Sequence, residues 1–93
     1  MSGLLARKVA VVYGGGGAVA RVFAREGARV FLAGCTRAKL ETVAREIQAA
    51  GGLAQVQTLD AFDESAVHAY ADTVARQAGR IDVMLNAIGI LTD

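Results

Sequence analysis

Four consecutive glycines, Gly14 to Gly17, stand between an apolar run and a short helical period. Glycine has no Cβ, so the backbone there turns sharply and approaches a ligand within contact distance. The first turn of a helix carries unpaired N–H groups and the positive end of the helix dipole. A glycine turn that opens onto a helix therefore attracts phosphate. Gly15, Gly17 and Ala20 satisfy the spacing G-x-G-x-x-G/A in this strand–turn–helix setting. A glycine run alone is also a flexible turn; the setting is what favours phosphate. Gly14, Gly15, Gly16, Gly17 and Ala18 are the candidate contacts.

Other residue types that could do chemistry read more simply as structure. His68 lies one position off an apolar helix face, with no second His and no neighbouring Cys to share a metal, so it reads as a surface histidine. Asp63 and Glu64 suit a helix N-cap and first turn, where negative charge is favourable. Tyr70 falls within an apolar helical stripe and reads as core. Tyr13 ends an apolar strand and has no lysine four residues on; no Tyr-x-x-x-Lys occurs anywhere in the chain. Cys35 is the only cysteine, which excludes an internal disulfide and a multi-cysteine metal site.

The elements that must position these residues alternate between apolar runs and helical periods, the pattern of a parallel sheet wrapped by helices. The first strand is Val9 to Tyr13, apolar without alternation, as for a strand buried on both faces. A helix from about Ala18 to Glu26 follows, with Val19, Val22 and Phe23 as its expected apolar face and Gly27 as its C-terminal cap. The second strand is Arg29 to Ala33, followed by a turn at Gly34-Cys35. Thr36 is the expected N-cap of a helix with a buried stripe of Leu40, Val43, Ala44 and Ile47, ended by Gly51-Gly52. The third strand is Ala54 to Leu59. Asp63 caps the third helix, lined by Val67, Tyr70, Ala71, Val74 and Ala78 and stopped by Gly79. The fourth strand is Ile81 to Leu85. Right-handed crossovers then give a β-α-β-α-β-α-β unit with strand order 3-2-1-4, a partial Rossmann-like doubly wound α/β fold.

Composition narrows the function classes. The chain has 93 residues, 54% hydrophobic and 20% charged, with eleven glycines and no proline, as in a globular α/β domain or part of one. A net charge of +1, from scattered basic residues without interleaved aromatics, argues against nucleic acid and an anionic membrane as partners. No run reaches the ~18 apolar residues of a membrane span, and residues 1–8 lack a signal-peptide pattern, so the expectation is cytoplasmic.

Three segments carry a family resemblance. Lys8-Val9-Ala10-Val11-Val12-Tyr13-Gly14, Arg25-Glu26-Gly27-Ala28-Arg29-Val30 and Asp82-Val83-Met84-Leu85-Asn86-Ala87-Ile88-Gly89 resemble the opening half of a short-chain dehydrogenase/reductase. The resemblance implies an NAD(P)-dependent oxidoreductase that transfers a hydride between nicotinamide and a small carbonyl or alcohol. It implies that Asp60, with Ala61 next to it, lies beside the adenine, and that Asn86 mainly ties neighbouring strands together. It also implies that Gly89 lets the backbone lie close to the nicotinamide ribose, with Asn86, Ala87 and Gly89 counted among the cofactor-binding residues. It also implies that full-length relatives are homo-oligomers. The family's catalytic Ser, Tyr and Lys lie on elements beyond the fourth strand. The expectation is thus the N-terminal part of one nucleotide-binding domain, truncated before its catalytic half. The alternatives are a non-catalytic nucleotide-binding or interaction module, and, less favoured, an S-adenosylmethionine-dependent Rossmann enzyme.

The chain departs from the family pattern in three places. Tyr13 replaces the first threonine of T-G-x-x-x-G-x-G, the later glycine positions fall on Ala18 and Ala20, and the stretch to Glu26-Gly27 is about four residues short, close to the ~3.6 of one helical turn. Ala87 stands at the second Asn of D-x-x-x-N-N-A-G. The second strand ends in Gly34-Cys35-Thr36-Arg37 with no carboxylate before Glu41. An acid at that place binds the ribose 2′-hydroxyl of NAD. Its absence, with Thr36, Arg37 and Lys39 present, favours NADP over NAD.

Overall fold

The computed structural model describes residues 3–14 and 17–86. Seven elements follow in order: β1 (Val9–Tyr13), α1 (Gly17–Arg25), β2 (Arg29–Gly34), α2 (Arg37–Ala49), β3 (Leu53–Thr58), α3 (Glu64–Ala78) and β4 (Val83–Asn86). The strands form one parallel sheet in the order β3-β2-β1-β4, the order expected from right-handed crossovers.

β1 is buried along its whole length because successive side chains enter opposite layers. Ala10 and Val12 join Val30, Leu32 and Ala54 under α1 and α2, where Ala20, Leu40, Ala44 and Ile47 cover them. Val9, Val11 and Tyr13 join Phe31 and Ala33 under α3, which contributes Val74 with Val67, Tyr70 and Ala78 packed around it. The stripes expected on α2 and α3 are therefore the packed faces. One helix covers only the middle of the second layer, so Leu53 at the edge of the sheet stays exposed.

The first helix differs from expectation. Ala20 is its buried residue, flanked by the partly buried Phe23 and Ala24, while Val19 and Val22 point to solvent. Residues 19, 22, 23 and 20, 23, 24 are equally good helical stripes. The second wins because two alanines let the axis lie closer to the sheet than a β-branched pair allows.

Gly27 ends α1 as its position implied. It adopts φ 97°, its N–H donates to Ala24 O at 3.0 Å, and Ala28 N–H donates to Phe23 O at 3.0 Å. This is the two-bond Schellman closure, which needs a left-handed residue at its centre. Gly52 N–H bonds Ile47 O in the same way after α2, and Gly79 N–H bonds Ala75 O after α3.

Asp63 caps α3 as expected, its carboxylate accepting from Ser65 and Ala66 N–H. Thr36 holds the N-cap position of α2, but its side chain makes no capping bond. Its hydroxyl instead lies 3.8 Å from Cys35 Sγ, and only its carbonyl serves the helix, accepting from Lys39 and Leu40 N–H. The fourth strand is Val83–Asn86 rather than Ile81 to Leu85. Ile81 packs beneath α3, and Asp82 bonds β1 through both its backbone and its side chain before the ladder begins at Ala10 and Val83.

Candidate functional site

All four strands run the same way, so their C-terminal ends, and the turns that leave them, gather along one edge of the sheet. The order reverses between β2 and β4 on either side of β1, which makes the end of β1 the switch point where open α/β sheets take ligands. Gly14 leaves β1 with φ 80°, a conformation strained for any L side chain. Its N–H donates to Ala33 O at 2.9 Å, which ties the turn to β2. Across from it lies the buried Gly34, where an added Cβ would sit 3.8 Å from Gly14 Cα. The same Cβ would meet Leu40 Cδ2 at 3.6 Å, so Gly34 lets β1, β2 and α2 lie close together at the switch point.

Gly17 opens α1, and Ala18 follows on its exposed side. No acidic residue stands in the first turn of α1, so nothing in the helix competes for its positive end. An added Cβ at Gly17 would come within 3.0 Å of Val43 Cγ2, so this glycine also sets how closely α1 lies against α2. Ala20 is fully buried, as the third position of the fingerprint requires for close helix–sheet packing. Gly15 and Gly16 lie outside the described residues, as do Ala87 and Gly89.

Beyond β2, Thr36 and Arg37 are exposed. Arg37 Nε donates to Glu41 Oε2 at 2.8 Å, and its Nη1 lies 3.5 Å from Thr58 Oγ1 at the end of β3. The guanidinium is therefore suspended between α2 and β3 at the sheet edge, an arrangement sequence spacing alone does not reveal. Beyond β3, Asp60 is exposed and its carboxylate accepts from Phe62 N–H at 2.9 Å, folding the loop into a tight turn. Ala61 is buried beneath α3. Asn86 ends β4 opposite Tyr13.

The two tyrosines belong to the core under α3. Tyr13 O–H donates to Val67 O at 3.1 Å, and its ring meets Tyr70 edge to face at 6.3 Å. Burial raises the pKa of Tyr13; burial and the neighbouring Tyr13 push Tyr70 up to about 12. Both phenols stay protonated at neutral pH within that core. His68 is exposed on α3. Among the described residues no helix is long and apolar enough to cross a membrane.

Asp82, the first residue of the segment similar to D-x-x-x-N-N-A-G, has a structural role that its place in that segment did not reveal. Asp82 accepts from Val9 N–H at 2.8 Å through one oxygen and from Arg80 through the other, so it fastens β4 to β1. Hydrogen bonds from Arg80 first, and then from Val9 N–H, hold its pKa below the ordinary 3.8.

A family model described as enoyl-(acyl carrier protein) reductase matches residues 9–93. The chain is 38% identical over 92 residues to the oxidoreductase YxbG of Bacillus subtilis (strain 168), covering 95% of this chain and 34% of that protein. It is 33% identical over 87 residues to the D-threitol dehydrogenase of Mycolicibacterium smegmatis (strain ATCC 700084 / mc(2)155), covering 89% and 34%. The crystal structure of a metagenomic short-chain oxidoreductase in complex with NADP superposes with a TM-score of 0.81 at 42% identity, covering 86% of this chain and 38% of that one. The chain spans about a third of the length of these relatives. Sheet order, glycine turn and a match over nearly the whole sequence agree: the chain belongs to the short-chain dehydrogenase/reductase family.

Proposed function

We propose that these residues form the nucleotide-binding front of an NAD(P)-dependent oxidoreductase, with NADP as the preferred dinucleotide. The observation that carries this reading is the glycine turn that leaves β1 at Gly14 and opens onto the N-terminus of α1 at Gly17, at the switch point of a parallel sheet. Gly14, Gly15, Gly16, Gly17 and Ala18 would hold the pyrophosphate through backbone N–H groups and the helix dipole. Asp60 and Ala61 would border the adenine, and Asn86, Ala87 and Gly89 the nicotinamide ribose. Thr36 and Arg37 would take the 2′-phosphate, since no carboxylate stands at the end of β2 to hold a 2′-hydroxyl. The NADP complex of the metagenomic relative supports that preference.

The bound nicotinamide would supply or take up a hydride, with a small carbonyl or alcohol as the other partner in the longer protein. Within the 93 residues no Tyr-x-x-x-Lys pair is present, so what they offer by themselves is binding and orientation of the dinucleotide. The second reading, a binding module without turnover, rests on that same absence. Full-length relatives would be homo-oligomers, as the family resemblance implies.

Fluorescence titration of the chain with NADPH and NADH tests the reading. A charged hydrogen bond from Arg37 to a 2′-phosphate corresponds to roughly tenfold or more in affinity. NADPH is therefore expected to bind at least that much more tightly. Equal affinities would remove the NADP preference, and no binding of either would remove the nucleotide site.

A further inference from the structure

The residue assigned to the 2′-phosphate is already engaged by a carboxylate. Glu41 sits one turn beyond Arg37 on the same face of α2, and its Oε2 accepts from Arg37 Nε at 2.8 Å. Thr58 Oγ1, from β3, lies 3.5 Å from Nη1. A guanidinium has five N–H groups; these two contacts leave one on Nη1 and both on Nη2. Guanidinium N–H groups of this kind grip phosphate. Glu41 thus holds Arg37 through Nε while Nη2 is left to donate.

The same carboxylate opposes what it prepares. Its negative charge lies at Nε, and a phosphate held by the remaining N–H groups of the same guanidinium would be repelled by it. A dianion about 7 Å from a unit charge across water loses roughly sevenfold in affinity at low salt, and about twofold at physiological ionic strength. A ribose 2′-hydroxyl at the same place is neutral and loses nothing by this route. The positioning benefit of an exposed i,i+4 pair is about twofold, so at low salt the charge outweighs it.

We propose that Glu41 sets the degree of cofactor preference at this site, holding Arg37 in place while limiting its discrimination in favour of the 2′-phosphate. This rests on the reading that Arg37 meets that phosphate. Glutamine at position 41 keeps an oxygen that accepts from Arg37 Nε and removes only the charge, so Glu41→Gln separates the two roles. The Arg37 side chain is 62% exposed and that of Glu41 41%, and the near-isosteric variant is expected to fold as the parent does.

The experiment is a fluorescence titration of the 93-residue chain, its Glu41→Gln variant and its Arg37→Ala variant with NADPH and NADH, at low salt and at 0.5 M salt. Glu41→Gln is expected to tighten NADPH by about two- to sevenfold at low salt, to leave NADH unchanged, and to lose most of the gain at high salt. Arg37→Ala is expected to remove most of the difference between the two dinucleotides, leaving the share that Thr36 contributes. If Arg37→Ala does so but Glu41→Gln leaves the NADPH-to-NADH ratio unchanged or lowers it, Glu41 has no such role and the Arg37 reading survives. A gain shared equally by both dinucleotides also overturns the role, since it would not act on the 2′-position. If Arg37→Ala leaves the preference intact, or neither dinucleotide binds the parent chain, the Arg37 reading fails and the role of Glu41 falls with it.

Discussion

Asp82 joins the start of β4 to the start of β1 through a side chain that must be ionised to accept from both Val9 N–H and Arg80. Its folded pKa lies below 3.8, first because of the Arg80 hydrogen bond and then because of the Val9 N–H. A carboxylate depressed in the folded state contributes stability above its unfolded pKa and loses it as pH falls through the folded value. The melting temperature of wild type should thus exceed that of Asp82→Asn at pH 6, and the gap should close below about pH 3.8. Thermal melts across that range check it; a gap independent of pH would mean the carboxylate charge is not what matters. At this scale the sequence was a partial guide. Asp63 is legible because an N-cap is local. Asp82 is not, because the N–H it satisfies belongs to a residue 73 positions away. Thr36 misled for the opposite reason: the position is that of a cap, but nothing in local spacing says where the hydroxyl turns.

Among the elements, α1 is the one whose sequence allowed two answers. Its ends were legible, because Gly27 sits where a left-handed residue must close the helix. Its rotation was not, because two stripes share the same period and close approach to the sheet decides between them. Gly27→Ala would hold a Cβ at φ 97° and press it against Ala6 Cα at 3.0 Å. The left-handed conformation alone costs about 1–2 kcal/mol for a residue with a Cβ. For a domain of this size each kcal/mol corresponds to roughly 4–8 °C in Tm. A melt within a degree of wild type would contradict the expectation. α2 and α3 were easier to read, since each has one apolar stripe and a polar remainder.

For the whole molecule, the strand order followed from the alternation of runs and the handedness of crossovers, and the structure has that order. What the order leaves behind is an outer edge of β4 with no strand beside it among the described residues, and Met84 there is half exposed. An open edge with an apolar side chain favours pairing between copies. The chain should therefore self-associate as its concentration rises, and Met84→Lys should suppress this, as read by sedimentation velocity over a concentration series. Monomeric behaviour of the parent at every concentration would refute it. The glycine turn and the close packing of α1 were legible, at Gly14, Gly17 and Ala20, because they depend on backbone and on the lack of a large side chain. The site was hidden where Arg37, Glu41 and Thr58 meet across two elements.

The fastening of β4 to β1 also has a kinetic meaning. β1 pairs with β2 across a short connection, and β2 with β3, so those contacts form between near neighbours in sequence. The pairing of β1 with β4 spans most of the chain, and long loops close slowly. During synthesis the central strand would therefore be flanked on one side long before the other, its second partner arriving only when nearly the whole segment has emerged. The residue that registers that late arrival is Asp82, so Asp82→Asn should accelerate unfolding more than it slows refolding.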